Sequence, residues 1–61
     1  MKLKQIREQK KLSQRSLADK AGMSYTYLSN VERGKADPSL STLKRLAHAL
    51  RVRVKDLIED E

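Results

Sequence analysis

The stretch 14–33, QRSLADKAGMSYTYLSNVER, decides the fold of this chain. Apolar residues recur on both sides of Gly22 at the spacing of one α-helix face. Glycine readily adopts the left-handed conformation found just past the end of a helix. The stretch therefore predicts two short helices joined by a tight turn at Gly22.

Both helices of this stretch carry a start signal and an inward face. Ser13 and Ser24 precede them and are expected to be N-caps, because a serine hydroxyl accepts a hydrogen bond from an exposed backbone N–H of the first turn. Gly34 is expected to end the second of these helices, 25–33, as Gly22 ends the first. The residues expected to face the core are Leu17, Ala18, Ala21, Leu28 and Val31.

Two segments flank this pair of helices. Before it, Leu3 and Ile6 stand at helical spacing and predict a first helix at about 2–10, with Leu12 packing inward in the connection. After it, the dipeptide at 37–38 is Asp-Pro, which is a poor helix interior and a common turn, so 35–39 is predicted to be a loop.

The remainder of the chain predicts two more helices. A fourth, from about 40 or 41 to 50, presents an inward stripe, and a short fifth, at about 54–59, contains Leu57 and Ile58. The stripe of the fourth helix consists of Leu40, Leu43, Leu46, Ala47 and Leu50. Since no strand pattern occurs, the sequence predicts one all-α domain of five helices over 1–61, ending in a short acidic segment at 59–61.

The composition restricts the class of protein. The 61 residues include no cysteine, so neither a disulfide nor a thiolate metal site supports the small core. No apolar run is long enough to span a membrane and no signal segment follows the N-terminus, so a cytoplasmic location is expected. A net charge of +6, with five basic residues against Glu8 in 1–11, favours a polyanionic partner.

Catalytic and metal-binding arrangements are not expected. His48 has no second histidine and no cysteine with which to hold a metal ion. The serines fit cap and turn positions, and no base–orienter pair accompanies any of them. We therefore expect no enzyme activity, no metal or other cofactor, and no small-molecule ligand.

The second helix of the organising stretch carries a polar row. Leu28 and Val31 attach this helix to the core, which leaves a set of polar side chains on its outward faces. These are Tyr25, Thr26, Ser29, Asn30 and Arg33. An α-helix fits the major groove of B-DNA, where short polar side chains reach base edges. The row is therefore a candidate for DNA recognition, and an ordinary solvated helix face is the alternative.

Four motifs agree in order and spacing with a known family: LSQ at 12–14, AGMS at 21–24, YLSNVERG at 27–34 and PSLSTLKRLAHAL at 38–50. Together they resemble the phage-repressor-like (Cro-type, XRE) helix-turn-helix family over nearly the whole chain. The resemblance implies a compact five-helix, lambda-repressor-like DNA-binding domain, in which the second and third helices form the helix-turn-helix at 14–33.

The resemblance also implies site roles, residue by residue. The positions that match base-reading residues are Tyr25, Thr26, Asn30 and Ser29. Those that match phosphate-contacting residues are Gln14, Ser24, Tyr27 and Lys35. For Tyr27 a second position, over the edge of the core, stays open.

Structural roles follow in the same way. Arg7 and Glu32 match a pair that forms an ion pair between the first and third helices of related domains. The candidate dimer contacts are Val52, Val54, Leu57, Ile58 and the loop near Pro38.

The chain departs from the family at two positions around the start of the fifth helix. Arg51 stands where relatives have glycine, so this residue either adopts the left-handed conformation or the turn is built differently. Arg53 stands where relatives often have a capping serine, and Asp56 is expected to compensate by reaching back to an exposed N–H.

These observations together predict a sequence-specific double-stranded DNA-binding protein. It is expected to act as a transcriptional regulator, more specifically a repressor, that reads the major groove with helix 24–33 as a homodimer on a palindromic operator. The alternative is a protein-binding module, such as an antitoxin or adaptor, built on the same fold. A third interpretation is non-specific binding of nucleic acid by charge alone.

Overall fold

A computed structural model of the chain describes residues 1–58, and the acidic end predicted at 59–61 lies outside the described residues. Within 1–58 the structure consists of helices without a strand. They are α1 (Leu3–Gln9), α2 (Gln14–Ala21), α3 (Tyr25–Glu32), α4 (Leu40–Leu50) and α5 (Val54–Ile58). None of these described helices is long and apolar enough to cross a membrane.

The predicted all-α fold with five helices is confirmed. α2 and α4 begin and end at the predicted residues, α1 is one residue shorter at each end than predicted, and α3 ends one residue earlier. Differences of this size are ordinary at fraying helix ends. The part of the predicted fifth helix beyond residue 58 lies outside the described residues.

Three serines begin helices in the same way. The hydroxyls of Ser13, Ser24 and Ser39 accept hydrogen bonds from the backbone N–H three residues later, at 3.0, 3.0 and 3.1 Å. Each bond satisfies an N–H that has no acceptor within its helix. The N-cap predictions for Ser13 and Ser24 are confirmed, and these caps fix where α2 and α3 begin.

Leucines from every helix meet in one core. The fully buried side chains are Leu3, Leu17, Leu28, Leu46, Leu50 and Leu57. α2 lies at the centre, in contact with both α3 and α4, and its buried Ala18 lets neighbouring backbones approach closely. The prediction that Leu40 faces inward is wrong, because its side chain is 60% exposed. Burial along α4 falls from Leu46 to the half-buried Leu43 to Leu40, so the start of α4 extends beyond the core.

The first four helices end in a common motif. Each is followed by a residue with a positive φ, and the next backbone N–H donates to the carbonyl five residues earlier. The left-handed residues are Lys11, Gly22, Gly34 and Arg51, with φ of 61°, 72°, 78° and 60°. The bonds run from Leu12 to Arg7, Met23 to Ala18, Lys35 to Asn30, and Val52 to Ala47. This is the Schellman motif, and two of its four left-handed positions are occupied by residues with a Cβ.

The two departures around α5 take a definite form. Arg51 adopts the left-handed conformation, which costs a side-chain-bearing residue about 1–2 kcal/mol. The Asp56 carboxylate accepts from the backbone N–H of Arg53 at 2.9 Å, as predicted for a residue that replaces the missing capping serine. The start of α5 is thus capped by a side chain of the same helix. The left-handed strain lies at Arg51, in the turn before α5.

A buried hydrogen-bond network attaches α1 to α3. Arg7 Nε and Nη2 donate to Glu32 Oε2 and Oε1 at 2.7 and 3.1 Å, so the predicted ion pair is present and bidentate. Arg7 Nη1 donates to the carbonyl oxygen of Leu12 at 2.7 Å. The exposed fractions of the two charged side chains are 9% and 1%. Hydrogen bonding to Glu32 raises the pKa of Arg7 above its ordinary value, so the guanidinium remains charged.

A third side chain completes this network. Gln14 Nε2, at the start of α2, donates to Glu32 Oε1 at 2.8 Å. The Glu32 carboxylate therefore accepts hydrogen bonds from α1 and α2 while it belongs to the last turn of α3. This arrangement fixes the end of α3 against both earlier helices.

We expect Arg51→Gly to raise the free energy of unfolding by about 1 kcal/mol. Glycine removes the left-handed strain but adds entropy to the unfolded chain, which offsets part of the gain. In a domain of this size the change corresponds to a Tm increase of about 4–8 °C in a thermal melt. Arg51→Ala is the matched control, because it removes the charge and keeps the Cβ. Equal gains in both variants would contradict strain as the cause.

We expect Glu32→Ala to lower the free energy of unfolding by about 3–5 kcal/mol, because it leaves the buried Arg7 guanidinium without its counter-charge. A chain of this length has a total stability of about 3–9 kcal/mol, so the expected loss is roughly a third of it or more. The double variant Arg7→Met/Glu32→Leu removes both charges and is expected to recover most of the loss in urea unfolding. A double variant no more stable than Glu32→Ala would contradict this account.

Candidate nucleic-acid interface

The polar row of α3 lies on the side opposite its core contacts. Leu28 and Val31 are buried, whereas Tyr25 and Thr26 are exposed and Ser29 and Asn30 are half-buried. The structure thus gathers all the predicted base-reading residues on one outward face. These side chains are polar and uncharged, which suits hydrogen bonding to base edges.

The electrostatics of α3 also favour a polyanion. Glu32 is the only acidic residue of the helix, and the Arg7 guanidinium neutralises it within the core. Arg33 and Lys35 are exposed immediately after the helix. The outward face of α3 therefore carries no uncompensated negative charge that would repel a phosphate backbone.

The start of α3 presents backbone donors. Ser24 accepts from the N–H of Tyr27, so the N–H groups of the two preceding residues, Tyr25 and Thr26, have no acceptor among the described residues. Ser24 itself is exposed. A helix N-terminus of this kind is suited to binding a phosphate oxygen.

The start of α2 has the same combination of a serine cap and free backbone N–H donors. It also carries a contact that the sequence did not predict. Gln14 was predicted only as a phosphate contact, but its amide nitrogen also donates to Glu32. The side chain is half-buried, so its position is fixed by the network. The signal available in the sequence was the ion pair expected between Arg7 and Glu32, because a carboxylate bound bidentately by one guanidinium can still accept from further donors.

At the end of α3, Asn30 makes backbone hydrogen bonds and one weak side-chain contact. Its carbonyl oxygen accepts from the backbone N–H groups of Lys35 and Ala36 at 2.8 and 3.3 Å, which fixes the position of Lys35 relative to the helix. Its side-chain Oδ1 lies 3.5 Å from Arg33 Nη2. A contact of that length is weak, so the Asn30 amide is free to exchange it for a base.

Tyr27 occupies the second of the two positions that the sequence left open. Its ring is half-buried and packs against the core between α3 and its neighbours. A hydrogen bond from its hydroxyl to a phosphate stays a prediction.

A further contact joins the two helices of the helix-turn-helix. The Arg15 Cζ atom lies 4.7 Å from the centroid of the Tyr25 ring, which is the geometry of a cation–π interaction. Sequence reasoning did not identify Arg15, because nothing in the spacing of residues 15 and 25 shows that their side chains meet.

The candidate dimer contacts separate into exposed and buried residues. Ile58 is 50% exposed, and Val52 and Val54 are half-buried. Leu57 is fully buried in the core of this chain, so its prediction as a contact to a second copy is wrong. Leu57 and Ile58 are neighbours in α5 and so point about 100° apart around the helix axis, which here turns Leu57 to the core and Ile58 outward.

Comparison with known proteins agrees with this geometry. The sequence profile of the helix-turn-helix family matches residues 3–57. The immunity repressor protein of Bacillus phage phi105 is 43% identical over 60 residues, which cover 98% of this chain and 42% of the repressor.

Two solved structures share the fold. The restriction-modification controller protein C.AhdI from Aeromonas hydrophila has a TM-score of 0.90 and 38% identity, covering 92% of this chain and 85% of its own. A SinR protein/SinI protein complex gives a TM-score of 0.88 and 37% identity, covering 95% of this chain and 57% of that one.

The chain spans less than half the length of the phage repressor, so this domain matches only part of that protein. Within this domain the family profile extends from α1 to α5. The chain belongs to the XRE-type helix-turn-helix family of DNA-binding regulators.

Proposed function

We propose that this protein binds double-stranded DNA sequence-specifically and represses transcription by occupying an operator. The observation that carries the proposal is the outward set of uncharged polar side chains on α3, which the buried pair of Arg7 and Glu32 holds against the core. These are Tyr25, Thr26, Ser29 and Asn30. The phage repressor and the controller protein, as similar proteins, support a regulatory role. The proposed activity is binding without catalysis, and it takes place in the cytoplasm.

Two sets of residues contact the DNA, one at the base edges and the other at the phosphates. Tyr25, Thr26, Ser29 and Asn30 read base edges in the major groove. Gln14, Ser24, Tyr27 and Lys35 contact phosphates and so set the position of α3 on the duplex. The pairs of free backbone N–H groups at the starts of α2 and α3 add to the phosphate contacts.

A homodimer on a palindromic site is part of the proposal, because one domain of this size touches few base pairs. The exposed Ile58 and the half-buried Val52 and Val54 form the contact between the two copies.

A second candidate function is the binding of another protein. The SinR protein/SinI protein complex supports it, because there a domain similar to this chain belongs to a protein that is bound to a protein partner. The exposed apolar side chain of Ile58 is the surface that such a partner would cover. The DNA interface on α3 is on a different element, so the two functions are separable by experiment.

We expect Asn30→Ala to relax the preference at one base pair of a DNA site enriched from a random duplex pool. The oxygen of its side-chain amide accepts from adenine N6 and the NH2 group donates to N7, so their loss costs about 1–3 kcal/mol at that position. Binding to the enriched site and to its single-base variants, measured by fluorescence anisotropy, gives the preference at each position.

We expect Lys35→Ala to weaken binding to every sequence alike and to flatten the plot of log Kd against log salt by about one unit. Lys55→Ala is the matched control, because it removes the same charge from α5. If no sequence is enriched from the pool, the repressor function is wrong and the protein-binding function takes its place.

The enriched site is expected to be two-fold symmetric, with half-sites about 10 bp apart from centre to centre. Ile58→Lys is expected to weaken self-association in sedimentation equilibrium and to lower cooperativity on that site, since it places a charge in the contact. Gln9→Lys adds the same charge on α1 and is expected to leave both unchanged. An asymmetric single site bound by a monomer would contradict the dimer.

A further inference from the structure

The contact between Arg15 and Tyr25 connects the two helix starts that face the proposed ligand. Arg15 is the second residue of α2, and Tyr25 is the first residue of α3. Both side chains are exposed, and the guanidinium carbon lies 4.7 Å from the ring centroid. The contact therefore lies on the surface between the first turns of these helices, outside the core.

The contact with Tyr25 leaves N–H donors of the Arg15 guanidinium available to a ligand. A guanidinium has five N–H donors, more than a contact with the face of one aromatic ring can occupy. No hydrogen bond or ion pair joins the Arg15 guanidinium to another residue within 1–58. The cation–π contact thus restricts where the side chain lies and leaves N–H donors free for a ligand.

The neighbours of Arg15 are suited to a phosphate. Gln14 and Arg15 occupy the first turn of α2, where Ser13 caps only the N–H of Ser16. The free backbone donors, the helix dipole and the guanidinium all favour an anion at this place. An arginine adds planar, bidentate recognition of phosphate oxygens, which a backbone N–H alone does not provide.

We propose that Arg15 binds a phosphate of the DNA backbone, and that the Tyr25 ring is its positioning group. This inference rests on the proposed DNA-binding function and assigns a phosphate contact beyond Gln14, Ser24, Tyr27 and Lys35. It also gives Tyr25 two separable parts. The ring supports Arg15, and the hydroxyl is the part that reaches a base edge.

The stacking has a specific energetic role. A free arginine side chain loses rotamer entropy when it is immobilised on a phosphate. The Tyr25 ring already restricts the Arg15 side chain in the free protein. Less rotamer entropy is therefore lost when Arg15 binds the phosphate, and the affinity is higher. Without the ring, Arg15 still carries its charge but contributes less to binding.

The test measures Kd by fluorescence anisotropy for the enriched site and for a scrambled duplex, between about 50 and 200 mM salt. We expect Arg15→Ala to weaken binding to both duplexes by about tenfold and to flatten the salt dependence by about one unit. Lys20→Ala removes the same charge from the last turn of α2 and is expected to change binding less. Circular dichroism melts check that each variant is folded.

The role of Tyr25 is tested by a double-mutant cycle. In a Tyr25→Ala background, Arg15→Ala is expected to weaken binding by about threefold or less, since the two residues act together. Tyr25→Phe keeps the ring and is expected to keep the full effect of Arg15→Ala, while it alters preference at one base pair if the hydroxyl reads a base. Circular dichroism melts of the Tyr25→Ala and Tyr25→Phe variants distinguish a loss of this coupling from a loss of folding.

Two results would overturn the inference. One is an Arg15→Ala variant with unchanged Kd and unchanged salt dependence, and the other is additive effects of Arg15→Ala and Tyr25→Ala. Failure of the proposed function is distinguishable, because it appears as absence of any enriched site for the unaltered protein. In that case the scrambled duplex still reports whether Arg15 contacts phosphate.

Discussion

The buried carboxylate of Glu32 is the constraint on which the rest of the domain depends. It accepts hydrogen bonds from the Arg7 guanidinium on α1 and from the Gln14 amide on α2, while it belongs to α3. Leu28 and Val31 give α3 an apolar attachment to the core, but apolar contacts are not directional. The network supplies the direction, because each of its bonds has a preferred length and angle.

This network matters more for geometry than for stability. Two charges buried together lose hydration, and an apolar pair of similar volume is often as stable or more stable. What an apolar pair lacks is a fixed orientation. Gln14 stands at the start of α2, which we propose contacts phosphate, and bonds to the same carboxylate that holds α3, the proposed base-reading helix. Glu32 thus connects the two parts of the proposed interface.

Much of this arrangement was predictable from the sequence. The exceptions depend on how separate helices pack together, which local sequence patterns do not determine. Caps and helix ends depend on residues close together in sequence, so Ser13, Ser24 and Gly22 were predicted correctly. Periodicity identifies the face of a helix but not how far the core extends along it, which is why Leu40 was misplaced. The contact between Arg15 and Tyr25 was missed because it depends on side-chain conformation across two helices.

The two strained helix ends differ in what surrounds them. At Lys11 the turn brings Leu12 back to Arg7, so that the backbone N–H of Leu12 donates to the Arg7 carbonyl while Arg7 Nη1 donates to the Leu12 carbonyl. The left-handed conformation of Lys11 is thus held by the same guanidinium that holds α3. At Arg51 the turn is closed by backbone bonds alone, from Val52 to Ala47 and from Arg51 to His48. Strain at Lys11 is therefore part of the network that positions α3, whereas strain at Arg51 is a local cost that glycine would remove.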